Sequence, residues 1–225
     1  MKKTSNNLFS RSVSSNQDGV HNNLEGLVLK HIKSKYQKPY QKHNEQAFEQ
    51  FSMRIQDGGF SKLILDSCCG TAMSSVQLSH QNPDALIVGI DQSIHRLNKQ
   101  GSADVLPENC LLLQTNCEDF WRLCAENEIK FDEHYILYPN PWPKSNHLKR
   151  RWHGHPVFPV LKDISSTLEL RSNWSVYLAE FARAWQLLTG KEYSVKSLNY
   201  QAPLTLFEKK YHQSQQDLFQ LVIGE

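Results

Sequence analysis

KLILDSCCGTAMSS, residues 62–75, carries the decisive pattern of the chain. Its first residues form a short apolar run closed by a carboxylate, Asp66. Small residues then turn the chain, and SSVQLSH follows at helical spacing. Such a strand, small-residue turn and helix bring backbone N–H groups close to a ligand at the turn.

The same alternation recurs downstream. Apolar runs lie at ALIVGID (85–91), CLLLQTN (110–116), HYILYPN (134–140) and TLELRSN (167–173), and SIHRLNKQ and DFWRLCAENE read as further crossover helices. Near-continuous apolar strands alternating with helices imply an α/β fold, a mostly parallel sheet covered on both faces. VYLAEFARAWQLL (176–188) is an amphipathic helix, and YSVKSL and DLFQLVI supply two more strands, which makes seven. Upstream, Leu24, Leu27, Val28 and Ile32 share one helical face, and Phe48, Phe51 and Ile55 share another. Asp57-Gly58-Gly59 ends the second helix. Residues 1–20, rich in Ser and Asn, read as a flexible tail. The organisation is then one domain over 21–225, with N-terminal helices at 21–58 and an α/β core at 60–225.

Composition narrows the partners. A net charge of +2 over 225 residues means that any nucleic-acid footprint is a local patch, not a global field. No stretch approaches the roughly 18 apolar residues of a membrane span, and MKKTSNNLFS lacks the apolar segment of a secretory signal. The five cysteines form no C-x-x-C pair and fit reduced cytosolic thiols. Cytoplasmic localisation is the expectation. His153 and His155 lack cysteine or carboxylate partners at ligand spacing, so no metal is expected. A monomer and a homodimer are equally compatible with this chain.

In doubly wound folds, ligands bind beyond the carboxyl ends of the strands. Asp66 ends the first strand and Asp91 the second, where a carboxylate accepts ribose hydroxyls. Only Gly70 remains of a glycine-rich turn, and no P-loop lysine is present, so phosphate cradling has little support. S-adenosylmethionine fits better, with its amino group on Asp66 and its ribose on Asp91. A plain tight turn with a surface Asp is the alternative.

Past the fourth strand, PNPWPKSNHLKRRW (139–152) joins a rigid end to a positive one. Pro139, Pro141 and Pro143 stiffen the backbone and hold Asn140 and Trp142 at the cleft mouth. Lys144, Lys149, Arg150 and Arg151, next to aromatics, suit RNA phosphates and base stacking. The alternative is a solvated charged loop.

PNPWPKSNHLKRR resembles the PDPWPKxxHxKRR signature of bacterial tRNA (guanine-N7)-methyltransferases. The resemblance runs from about residue 60 to 222 and includes GIDQSIHRL, SNW and PLTLFEKK in order. It implies a Rossmann-like methyltransferase sheet and methyl transfer from S-adenosylmethionine to a guanine N7 in the tRNA variable loop. It also places Asp66, Gly70, Asp91, Asn116 and Asn140 at the cofactor. Asn140 takes the catalytic position, and Lys144, Asn173, Thr205, Phe207 and Glu208 fall at the substrate, with Arg150 and Arg151 on RNA phosphates. Guanine N7 already bears a lone pair, so the task is alignment, and Glu208 is placed to accept from the guanine edge.

Departures from the family pattern are specific. Its glycine turn reads D-S-C-C-G-T-A, with Cys68 and Ala72 for glycines, and Cys68 puts a side chain where backbone should approach the cofactor. Asn116, Asn140 and Asn173 replace aspartates, each removing a negative charge that stabilises a cationic product. The arginine-rich N-terminal segment is reduced to Arg11-Ser12-Val13. Asn140-Pro141-Trp142 partly echoes the N-P-P-[YFW] loop of amino methyltransferases, so an exocyclic or side-chain amine is an alternative target. A relative that has lost catalysis but still binds cofactor or RNA is another.

Overall fold

A computed structural model of the chain describes residues 10–99 and 106–224. Its frame is a seven-stranded sheet: β1 (Lys62–Ser67), β2 (Ala85–Asp91), β3 (Cys110–Gln114), β4 (Phe131–Leu137), β5 (Ser165–Ser172), β6 (Lys196–Ser197) and β7 (Phe219–Ile223). The order is β3-β2-β1-β4-β5-β7-β6. The first five strands are parallel, while β7 runs antiparallel to both β5 and β6. From β1 the chain works outward to β3 and then returns to β4, so the switch in strand order lies between β1 and β4.

The apolar runs form strands because helices cover both faces. All seven residues of β2 are buried. Leu86, Val88 and Ile90 face the larger core, and Ala85 and Ile87 face a second one with Ile64, Leu78 and Leu204. The larger core packs against α1 (Leu24–Ile32), α2 (Lys42–Gln56), α5 (Cys117–Glu126) and α7 (Ser175–Thr189). Phe51 is fully buried, stacked 5.7 Å from Phe131 and tilted 5.3 Å from Phe120. Burying such a side chain contributes about 1.5–3 kcal/mol. On α1, Leu24 and Val28 reach the core, but Ile32 at the last turn is exposed.

The smaller core lies under α3 (Met73–Gln81) and α8 (Leu206–Gln213). Among the described residues, the crossover after β2 contains the short α4 (Ile94–Leu97). β4 begins at Phe131, earlier than the apolar run suggests, and ends at Leu137, because Pro139 has no N–H to continue a ladder. Residues 145–160 form three 3₁₀ turns leading into α6 (Leu161–Ile164), which the pattern of basic and proline residues did not announce. Gly154 is required there: a Cβ on it would lie 2.0 Å from the Leu148 carbonyl oxygen.

The tail predicted over 1–20 lies partly outside the described residues, at 1–9. The rest, residues 10–20, is bound to the body. The Ser10 N–H donates to Ser214 Oγ at 2.8 Å, and Ser15 Oγ donates to the Pro143 carbonyl at 2.6 Å. Polar residues read as solvated here satisfy backbone groups of the proline-rich loop.

Candidate active site

Beyond the carboxyl ends of β1, β2 and β4 lies a cavity of about 940 Å³. It brings together residues that are far apart in sequence: Asp66, Gly70, Asp91 and Asn116 on one side, and Asn140, Asn173, Thr205 and Phe207 on the other.

Asp66 closes β1 and is 1% exposed. Its Oδ2 accepts hydrogen bonds from Ser74 and Ser75, both 2.6 Å, at the start of α3. Its Oδ1 is buried without a partner. Burial is the main reason its carboxyl rises to about 6, opposed by the two serines and reinforced by Asp91. A buried acceptor in this state calls for a cationic donor. Asp91, at the end of β2, accepts from the Gly70 N–H at 3.0 Å and the Ser93 N–H at 2.8 Å. It thereby ties the turn after β1 to its own strand. Arg96, 3.6 Å from Asp91, also lines the cavity; it lies within GIDQSIHRL, but sequence reasoning did not single it out.

The turn itself keeps a glycine-like course without the glycines. Cys68 has φ +61° and Ala72 φ +59°, a region that side chains disfavour. The sulfur of Cys68 turns toward α5, 3.4 Å from the sulfur of Cys117, and packs on the main core. The side chain expected to obstruct the cofactor is therefore largely directed into the fold, although Cys68 also lines the cavity. All five cysteines are free.

Asn116 is the N-cap of α5, its Oδ1 accepting the Asp119 N–H at 2.8 Å. Asn and Asp serve equally well there, which removes the structural cost of this replacement. Asn140 is exposed on the proline loop, and its Oδ1 accepts the Trp142 N–H at 3.3 Å. Tyr138 and Trp142 adopt φ +50° and +45°, so the loop is sharply bent on both sides of Asn140. Asn173 donates to Gln216 at 2.8 Å.

The basic stretch divides. Lys149 and Arg150 are exposed at the cavity mouth, with the Arg150 guanidinium 4.6 Å over the Trp142 ring. Lys144 is exposed but does not line the cavity. Arg151, assigned above to RNA phosphates, is fully buried. It meets Glu180 at 2.5 Å and donates to the carbonyls of Trp142 and Lys144. Its charge is spent inside the protein, where it holds the proline-rich loop.

A second departure concerns Glu208. Thr205 caps α8 by accepting the Glu208 N–H at 3.0 Å. Glu208 itself is 1% exposed and does not line the cavity. Its oxygens accept from Arg171 and from the Leu204 N–H, both at 2.9 Å. Buried and outside the cavity lining, the carboxylate does not face a guanine edge. Phe207, 54% exposed, stacks on Tyr211 at 6.0 Å and offers a flat apolar surface instead. Tyr138, Tyr211 and Lys210 complete this wall, and only their proximity in space reveals them.

The residues present fit S-adenosylmethionine. The unpartnered buried Oδ1 of Asp66 suits an ammonium group, Asp91 is a strand-end carboxylate of the kind that accepts ribose hydroxyls, and Asn116 lines the same cavity. Among the described residues, no group of three or more His, Cys, Asp or Glu is placed to hold a metal. No helix among them is long and apolar enough to cross a membrane.

Residues 61–221 match the protein-family model "Putative methyltransferase". The tRNA (guanine-N(7)-)-methyltransferase of Mycoplasma genitalium is 31% identical over 97 residues, covering 40% of this chain and 44% of that relative. The enzyme of the same name from Aquifex aeolicus is 26% identical over 161 residues, covering 66% and 51%. The chain thus spans about half the length, or less, of these curated relatives. Among solved structures, an antibiotic-related methyltransferase shares the fold with a TM-score of 0.58 at 13% identity, covering 87% of this chain and 98% of that one. The 16S rRNA (adenine(1408)-N(1))-methyltransferase of Catenulisporales acidiphilia, solved with cosubstrate SAM, follows at 0.54 and 13%, covering 84% and 92%. Switch-point cavity, strand-end carboxylates and the match over residues 61–221 lead to one conclusion: the chain belongs to this methyltransferase family, as a divergent relative of the tRNA (guanine-N7)-methyltransferases.

Proposed function

We propose that the protein methylates N7 of a guanine in tRNA, using S-adenosylmethionine, in the cytoplasm. The observation that carries this reading is a single cavity lined by both cofactor-side and target-side residues, in a chain similar to relatives named for that reaction. The cofactor, when bound, supplies a methyl group on a positively charged sulfur. The chain's own residues bind and align. Asp66 would hold the ammonium group of the cofactor and Asp91 its ribose, and the rigid Pro139–Pro143 loop sets Asn140 and Trp142 at the mouth. Phe207 and Trp142 offer faces for base stacking, worth about 1–3 kcal/mol per base in RNA-binding proteins. Guanine N7 needs no general base, so alignment is the main contribution. Glu208 helps to fix the start of α8, its carboxylate accepting the Leu204 N–H. Asn140 offers a polar, uncharged group beside the developing cation.

Purified protein with methyl-labelled S-adenosylmethionine and bulk tRNA tests this reading. The expected result is label at a base whose ribose then cleaves with borohydride and aniline. Label on RNA without cleavage moves the target to an exocyclic amine, in line with the Asn-Pro-Trp loop. Cofactor binding with no transfer to any polymer identifies a relative without catalysis.

A further inference from the structure

Lys30, Lys33, Lys35, Lys38 and Lys42 fall within thirteen residues that contain no acid. The chain as a whole carries +2, so everything outside this segment sums to −3 (+2 less +5). All five lysines are exposed, and among the described residues only Lys35 has a carboxylate partner, Glu126 at 3.3 Å.

The segment is built, not merely solvated. Arg122 on α5 donates to the Lys38 carbonyl at 2.7 Å. Its guanidinium lies 4.1 Å over Tyr40 and 5.3 Å over Tyr36. Asp119 accepts the Gln41 N–H at 3.2 Å, and the Tyr40 hydroxyl donates to Glu126 at 2.7 Å. The same helix borders the cavity through Asn116, Cys117 and Glu118. A connection clamped this way presents cations with little ordering entropy left to lose on binding.

It is also continuous with the cavity mouth. Tyr36 packs edge-on against His155 at 5.3 Å, and His155 lines the cavity beside Trp152, Lys149 and Arg150. Burial first, and then the nearby charges of His31 and Lys38, hold His155 down at about 4. Burial first, and then Lys30 and Lys149, lower His31 as well. Tyr36 and His155 thus join the lysines of the α1–α2 connection to Lys149 and Arg150 at the mouth.

We propose that Lys30–Lys42 is a second phosphate track, which grips the RNA backbone flanking a target base seated in the cavity. The inference rests on the RNA-methyltransferase reading and adds a surface to it. Nine non-helical residues, 33–41, span at most about 30 Å, enough to meet several phosphates. Lysines interleaved with Tyr and Pro on a fixed loop suit a nucleic-acid backbone better than a lipid surface, which favours an amphipathic helix.

The test is a triple variant, Lys30→Gln, Lys33→Gln and Lys38→Gln, compared with wild type on full-length tRNA and on a short hairpin carrying only the target loop. With tRNA, the slope of log K against log salt should flatten by about two, at roughly 0.7 per lost phosphate contact. KM for tRNA should rise about tenfold, in line with losing a few phosphate contacts, with kcat, cofactor affinity and melting temperature unchanged. On the hairpin, KM should stay near wild type. An unchanged slope and KM on tRNA that the wild type methylates overturns the track and leaves the enzyme reading intact. An equal loss on hairpin and tRNA overturns it too, by placing the effect in the cavity. Loss of binding to anionic vesicles, with tRNA unaffected, replaces RNA by a membrane. Wild-type protein that neither binds nor methylates tRNA overturns both readings.

Discussion

Arg151 and Glu180 form a fully buried ion pair, 2.5 Å apart, beneath the loop that carries Asn140. The carboxylate also accepts from His153, Gln17 and the His21 N–H. Burial alone would raise Glu180, but His153 and Arg151 hold it down at about 2. His153 is itself kept low by burial, so Arg151 supplies the positive charge. Removing one partner of such a pair leaves the other buried and unpaired, at a cost of about 3–5 kcal/mol.

Arg151→Met should therefore lower unfolding stability by about that amount in a denaturant titration. Arg150→Ala should stay within about 0.5 kcal/mol and weaken RNA binding instead. Two equally stable variants would remove Arg151 from its structural role. Glu180 has a lower pKa folded than unfolded, so its stabilisation is complete above about 4.5 and is lost as pH falls from there toward 2. Glu180→Gln should flatten that acid limb.

Cofactor affinity should depend on Asp66 near pH 6. Its carboxyl is protonated below about 6 in the free protein, and a neutral acid attracts an ammonium group poorly. Affinity should be full above pH 6 and fall up to tenfold per unit below it. Reciprocally, binding should release a proton near pH 6, which calorimetry in two buffers of different ionisation enthalpy detects. The stability sign is opposite to that of Glu180. A raised carboxyl favours the protonated fold, so the free protein gains stability as pH drops from 6 toward 3.8. Asp66→Asn should abolish the pH dependence and weaken binding roughly 10- to 100-fold, the worth of a charged hydrogen bond.

Asn140→Asp keeps the acceptor that holds the Trp142 N–H at 3.3 Å and adds one negative charge at the cavity mouth. If the product is a cationic N7-methylguanine, kcat should rise, by about tenfold for each 1.4 kcal/mol of transition-state stabilisation. A fall in single-turnover rate with folding intact would instead match an amine target.

Gly154→Ala should destabilise the basic turns. The added Cβ meets the Leu148 carbonyl oxygen at 2.0 Å, which forces backbone apart. Overpacking of this kind costs about 1–3 kcal/mol. Thermal melting measures it, and a melting temperature equal to wild type would show that the turns can separate freely.

Much of this architecture is written locally. Apolar runs that end in Asp66 and Asp91, with helical spacing between them, specify parallel strands and their ligand-binding ends, because alternation and turn chemistry act over a few residues. The order of motifs also pointed to Asn116, Asn140, Asn173 and Thr205, which the fold gathers around one cavity. The roles of Arg151 and Glu208 were not legible. A basic or acidic residue in a charged stretch reads as exposed until the partner that buries it is known, and those partners, Glu180 and Arg171, lie 29 and 37 positions away. The segment 10–20 likewise reads as a solvated tail, since its hydrogen-bond partners lie mainly beyond residue 140.

The sequence by itself determined the βα alternation, the strand-end carboxylates and the stiff proline loop, since each depends on backbone geometry and short-range periodicity. Tertiary structure alone decided which charges face outward. Lys149 and Arg150 stay at the cavity mouth and Arg151 turns inward, because a charge is buried only where a partner from another element compensates its lost hydration.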